Sequence, residues 1–213
     1  MNQNNYGISE QQPEASASLR DYLYTVTAAI VFVNVLIFLR TDFTSLTGQE
    51  SIWIERGALS WHSVFVEHEY YRILTSMFLH RDIEHISNNM LILFFFGIFM
   101  EQQLGKIRFL TLYFCSGLLA GCTSMVYNMM QNDYITSIGA SGAIFGVMGG
   151  YFTLLVLRRR ENGISWNRLI FAVFLSIYSG VATQGIDNAA HIGGLAAGIL
   201  IALLFARRHP CGI

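Results

Sequence analysis

Six apolar stretches punctuated by polar and charged residues dominate the chain, over residues 22–39, 85–101, 107–130, 141–157, 166–182 and 189–206. Each has the length that carries a helix across about 30 Å of hydrocarbon. The two prolines, Pro13 and Pro210, fall outside all six. Backbone groups in lipid must be paired within the protein, so each stretch predicts a transmembrane α-helix. The two-residue alternation of a membrane barrel is absent. The fold class that follows is all-α, a polytopic membrane protein built as a six-helix bundle.

Residues 1–21 are polar, rich in Ser, Asn and Gln, and lack the basic-then-apolar pattern of a signal peptide. They read as a short cytoplasmic tail before a membrane domain over 22–206, with a second short tail over 207–213. Composition narrows the class further. Charged residues make up 13% of the chain and hydrophobic ones 53%, against about 25% charged in ordinary soluble domains. A disordered chain, a basic nucleic-acid binder and an ordinary soluble enzyme are excluded. The net charge of −1 matters less than where the cations fall. Arg20, Lys106, Arg108, Arg158, Arg159, Arg160, Arg168, Arg207 and Arg208 lie in or beside the tails and the even-numbered connections. Arg40, Arg56, Arg72 and Arg81 lie at or beyond the far end of the first span, among seven acidic residues. The positive-inside rule then predicts both termini in the cytoplasm, as six spans require. The connection over 40–84 carries Trp53, Trp61, Phe65, Tyr70 and Tyr71, which predicts an amphipathic segment lying in the membrane interface. Cys115, Cys122 and Cys211 form no disulfide framework.

Polar groups inside spans are expensive and therefore candidates for function. Spans two, four and six all run inward, so His85, Asn89, Ser141 and His191 share one depth near the outer face. Ser141 sits in Gly139-Ala-Ser-Gly-Ala-Ile-Phe-Gly146, where flanking glycines let another backbone approach. A helix N-terminus there leaves N–H groups free to hold an oxyanion. The plainer alternative is an N-cap among packing glycines. His191 precedes Gly194 and Gly198, a G-x-x-x-G face suited to tight helix contact. An imidazole brought against Ser141 would be a general base; a histidine satisfied by a backbone carbonyl is the alternative. Asp187, four residues upstream, is expected to lie in a loop or cap the sixth span rather than orient the histidine. His85 and Asn89 share a helix face and offer donors for an oxyanion, or simply anchor the first loop. Gly117 with Gly121, and Gly142 with Gly146 and Gly150, predict helix packing. No metal site is expected: His80 and His85 do not share a face well, and no H-E-x-x-H motif occurs. The pair of intramembrane aspartates of an aspartyl mechanism is missing as well.

Gly-Ala-Ser-Gly around Ser141, Ala-His-Ile-Gly-Gly around His191, and H-x-x-x-N at His85 and Asn89, in this order on spans two, four and six, resemble the rhomboid family of intramembrane serine proteases. The resemblance covers approximately residues 22–206. Tyr71-Arg72 stands where the family often has Trp-Arg, Glu101-Gln-Gln-Leu-Gly105 is similar to the stretch closing its second span, and His80 matches a histidine that braces its first loop. The resemblance implies a Ser141 nucleophile, a His191 general base, and an oxyanion held by the Ser141 N–H, His85 and Asn89. Arg72, His80, Glu101, Phe145, Gly194 and Gly198 would be structural supports, with Phe145 stacking on the histidine where some members have tyrosine. It also implies single-pass transmembrane substrates entering between spans two and five, a cap formed by residues 184–188, no cofactor, and the substrate and the lipid bilayer as partners, with no nucleic acid. A bacterial cytoplasmic membrane is the expected location. A client-binding protein that does not cut, and a small transporter, are the competing readings; no inverted repeat, proline-broken span or carboxylate path supports the transporter.

Overall fold

A computed structural model of the protein describes residues 25–42, 52–157, 166, 167, 170 and 187–207. Five long helices carry it, joined by short helical pieces. Helix α1 spans Val26–Asp42. Three short helices follow, α2 (Ile52–Gly57), α3 (Trp61–Phe65) and α4 (Arg72–Thr75), with a 3₁₀ turn over Ser76–Phe78. Then come α5 (Ile83–Leu104), α6 (Lys106–Gln131), α7 (Ser141–Leu157) and α8 (Asn188–Arg207). Three of these, α5, α6 and α8, are long and apolar enough to cross a membrane, while α1 and α7 are shorter apolar helices. The fifth predicted span, over 166–182, lies almost wholly outside the described residues. So do the two tails and most of the expected 184–188 cap.

Helix ends follow from local chemistry. The Asp82 carboxylate accepts the His85 N–H at 2.8 Å and starts α5. Gly105, at φ +79°, ends α5 and α6 begins one residue later, so the two run antiparallel. Asn132 ends α6 in the left-handed conformation, which Asn tolerates better than most residues. Helix α1 begins later than the apolar run predicts, and for a specific reason. The Glu101 carboxylate, at the far end of α5, accepts the Val26 and Thr27 N–H groups, each at 2.9 Å, and the Thr27 hydroxyl at 2.8 Å. That carboxylate is buried, so it satisfies donors that a helix start otherwise leaves orphaned in lipid.

The main core joins α5, α6 and α7. Phe96 and Phe99 meet the Tyr151 ring edge-on, at 4.9 and 5.2 Å, and Leu112, Tyr113, Val147 and Met148 are fully enclosed around them. Where α6, α7 and α8 converge, side chains shrink. A methyl group at Gly142 would stand 2.7 Å from Ala120 Cβ. At Gly194 it would strike the Gly142 carbonyl, and at Gly198 the Gly146 carbonyl. Because residue 194 meets 142 and residue 198 meets 146, α7 and α8 run parallel with their first turns at one end. Helices in lipid lack a hydrophobic drive toward one another, so such close contact is what holds them.

The 40–84 connection departs from a simple interface-lying segment. Its described part, residues 52–84, folds into short helices around a small core of Leu59, Val64 and Met125, with Trp61 and Ile73 against it. Leu59 pairs with Ser137 in an isolated antiparallel bridge, and the Trp61 indole donates to the Asp133 carbonyl at 2.7 Å. Phe65, Val66, Tyr70 and Tyr71 remain exposed, the apolar face an interface would cover. Gly117 and Gly121 also serve this connection, not helix contact alone. Gly117 receives Met77 as well as Ala143 of α7, and Gly121 receives Leu59.

Candidate active site

Ser141 is the first residue of α7. The Ala140 carbonyl accepts the Ile144 N–H at 3.0 Å, which makes Ala140 the cap and leaves the Ser141 N–H with no partner in the preceding turn. The N-cap alternative for Ser141 therefore does not describe its position. His191 is the fourth residue of α8. Its Nε2 lies 3.0 Å from Ser141 Oγ, a hydrogen-bond distance. The imidazole stacks on Phe145, one turn beyond Ser141, with ring centroids 4.2 Å apart and planes 11° from parallel. The parallel register and the two glycine contacts explain why these first turns meet: a side chain at either Gly194 or Gly198 would hold the helices apart.

His85 and Asn89 lie against Gly139, two residues before Ser141. A methyl group at Gly139 would stand 2.8 Å from His85 Nε2 and 3.6 Å from Asn89 Nδ2. Gly139 also adopts φ +116°, so both backbone and space require glycine there. Asn89 is buried, and its Nδ2 has no partner among the described residues. An unpaired buried donor is costly and marks a position where an acceptor is expected to arrive. The Gly139 N–H donates to the Ser76 carbonyl at 2.8 Å.

His80 lies in the connection before α5 and is 1% exposed. Its Nε2 accepts the Ala140 N–H at 3.5 Å, a long bond, and its ring meets His85 edge-on at 5.1 Å. It thus ties the first loop to the start of α7. Burial first, then the neighbouring His85, push the His80 imidazole down to about 3, so it is neutral at ordinary pH. Arg72 holds the loop from its other end. Its guanidinium pairs with Glu69 at 2.5 Å and donates to the Glu55 and Ala58 carbonyls at 2.6 and 3.1 Å. That hydrogen bond from Arg72 holds the Glu69 carboxyl below the usual carboxylate range. The Tyr71 hydroxyl shares its one proton between the Arg56 carbonyl and Glu69, both at 3.1 Å. Glu101 lies at the opposite end of α5 from His85 and Asn89, so its support is to the bundle and not to the site.

Sequence reasoning missed a polar group beside the serine. Ser124, Asn128 and Ser137 gather with Asp187, and a cavity of about 30 Å³ is lined by Ser76, Ser137, Ser141 and Asp187 among others. No periodicity singles out these residues, since serine in an apolar helix ordinarily bonds its own backbone, as Ser116 does. Asp187 does cap α8, accepting the Ala190 N–H at 2.9 Å.

The architecture is thus that of a helical integral membrane protein in which a serine and a histidine from two glycine-packed helices meet at one end of the bundle. The family model for the Rhomboid domain matches residues 67–208, and the chain belongs to the rhomboid family. It is 35% identical over 171 residues to RHOMBOID-like protein 2 of Arabidopsis thaliana, covering 78% of this chain and 52% of that protein. It is 29% identical over 195 residues to the rhomboid protease GluP of Bacillus subtilis, covering 91% of this chain and 37% of that one. Inactive RHOMBOID-like protein 8 of Arabidopsis thaliana is 36% identical over 140 residues, 65% of this chain and 39% of its own length. The chain spans about half the length, or less, of these curated relatives.

Proposed function

We propose that the protein is an intramembrane serine endopeptidase that cleaves single-pass transmembrane proteins in or near their membrane segment. The observation that carries this reading is the 3.0 Å contact between Ser141 Oγ and His191 Nε2. Ser141 is the nucleophile. Neutral His191, with its proton on Nδ1, accepts the Ser141 hydroxyl proton on Nε2 as the oxygen attacks the scissile carbonyl. The Ser141 N–H, Asn89 Nδ2 and His85 hold the tetrahedral oxyanion; each such donor supplies about 3–4 kcal/mol of transition-state stabilisation. On collapse the imidazolium gives its proton to the leaving amine, and the acyl group stays on Ser141. Water, deprotonated by His191, then attacks the ester and frees Ser141. The cavity beside Ser141 has room for a water molecule. The Asn89 Nδ2, without a partner among the described residues, further supports the oxyanion role.

A transmembrane substrate helix hides its carbonyls in its own hydrogen bonds, so it must unwind locally to reach Ser141, most easily at glycine or serine. The cation distribution supports cytoplasmic termini and a site toward the outer face, in a bacterial cytoplasmic membrane. The test uses the purified chain in detergent with a fluorophosphonate probe and a model transmembrane substrate. Wild type is expected to be labelled and to cut, and Ser141→Ala to do neither. Cutting that persists in the variant overturns the nucleophile assignment. A folded wild type that neither labels nor cuts favours the client-binding reading instead.

A further inference from the structure

One carboxylate links the two segments that deliver the serine and the histidine. Asp187 Oδ1 accepts the Ala190 N–H at 2.9 Å, and its backbone carbonyl accepts the His191 N–H at 3.1 Å. Its Oδ2 accepts the hydroxyls of Ser124, on α6, and Ser137, in the loop entering α7. Each hydroxyl has one proton and gives it to the carboxylate. The 2.9 Å separation of the two oxygens is therefore a consequence of their shared acceptor. Asn128 Nδ2 fills a lone pair of Ser124 at 3.3 Å. Ser124 and Asn128 are buried, while Ser137 and Asp187 are half-buried at the edge of the cavity beside Ser141.

The placement matters more than the number of bonds. Ser137 lies four residues before Ser141, and Asp187 lies four residues before His191. Ser137 is itself clamped to Leu59, with bonds of 3.0 and 2.8 Å in the two directions. Among the described residues no hydrogen bond joins the Asp187 carboxylate to the His191 ring, so Asp187 is not placed as the acid of a triad.

We propose that Asp187 is a positioning residue for the dyad: its carboxylate ties the start of α8 to the loop entering α7 and to α6, and so sets the distance from His191 Nε2 to Ser141 Oγ. This rests on the reading of Ser141 and His191 as nucleophile and base. Only an ionised carboxylate can accept one N–H and two hydroxyl protons at this point. An amide keeps the cap through its oxygen, while its NH2 group accepts from neither hydroxyl and can only donate to the hydroxyl oxygens, so it preserves part of the tie. Alanine removes all of it.

The experiment measures the second-order rate of fluorophosphonate labelling per folded molecule, with the full chain in detergent, well below each variant's melting temperature. Asp187→Ala is expected to slow labelling about 100-fold, the scale of a displacement near 1 Å between reacting groups. Asp187→Asn recovers much of that loss, and Ser137→Ala loses less than Asp187→Ala. A role confined to capping α8 would lower the melting temperature and leave the labelling rate of folded molecules alone. Labelling of folded Asp187→Ala at the wild-type rate overturns the proposal. Should Asp187→Ala fail to fold, Ser137→Ala decides, because it leaves the α8 cap in place; labelling at the wild-type rate there overturns it equally. Failure of the dyad reading looks different: Ser141→Ala would be labelled as fast as wild type, and the positioning role would fall with it.

Discussion

Helices α7 and α8 touch through backbone, whereas α1 and α5 touch through side chains. In the first pair Gly194 lies on the Gly142 carbonyl and Gly198 on the Gly146 carbonyl, so at these two crossings no side chain separates the backbones. In the second pair Glu101 holds the start of α1, and Thr27 packs over Gly97. Phe32, Leu36 and Leu39 of α1 stay exposed on its outer side. A contact made of backbone cannot relax by changing rotamers, so it fixes distance. A contact made by one carboxylate and apolar side chains fixes a helix end and lets the rest adjust. Geometry that holds two remote side chains at hydrogen-bond distance belongs to the first kind of contact, and Ser141 and His191 are found there.

That contrast can be broken experimentally. The largest effect is expected from Gly194→Ala. Its methyl group meets the Gly142 carbonyl, so the helices must separate and carry His191 away from Ser141. Fluorophosphonate labelling should fall about 100-fold in protein that still folds. Labelling at the wild-type rate would mean that the backbone contact does not set the site's geometry.

Glu101→Ala should behave in the opposite way. It leaves the buried Thr27 donors and the half-buried Val26 N–H unpaired, a loss of about 2–4 kcal/mol of stability. The melting temperature falls, while labelling of the folded fraction stays near wild type. A matching loss of labelling would join the two regions into one unit.

The smallest expected effect tests the junction between the first loop and α7. Folded His80 titrates near 3, against about 6.5 in an unfolded chain. Between those values the unfolded chain binds the extra proton. Stability is complete above the unfolded value and drains as pH falls through the window, by about 1 kcal/mol per pH unit. Melting temperatures from pH 7.5 to 5 should fall in wild type, and less steeply in His80→Gln. Equal slopes would show that His80 is not the group responsible.

The long helices among the described residues were legible because lipid imposes a length and a composition on any helix that crosses it. Span four was expected at 141–157 and α7 covers Ser141–Leu157; spans two and three came within a few residues. Span one was displaced to Val26–Asp42. Its start depends on Glu101, seventy-five positions away from Val26, and no local signal announces such a partner. The 40–84 connection was legible as aromatic and interfacial, but not as a folded unit with Leu59, Val64 and Met125 at its centre. That core borrows a residue from α6. Among the candidate residues, Ser141, His191, His85 and Asn89 stood out because polar groups in apolar spans are rare. Ser124, Asn128 and Ser137 did not, since serine and asparagine are unremarkable until a carboxylate is brought beside them.

Sequence alone determined that this chain is helical, that it lives in a membrane, and which few polar side chains interrupt its apolar stretches. Those follow from hydropathy, a property that each segment carries by itself. Only the tertiary structure decided that α7 and α8 approach until backbone meets backbone, that Nε2 and Oγ stand 3.0 Å apart, and that Asp187 gathers hydroxyls from two other segments. Distances between remote residues depend on the summed packing of every intervening helix, which no single segment encodes.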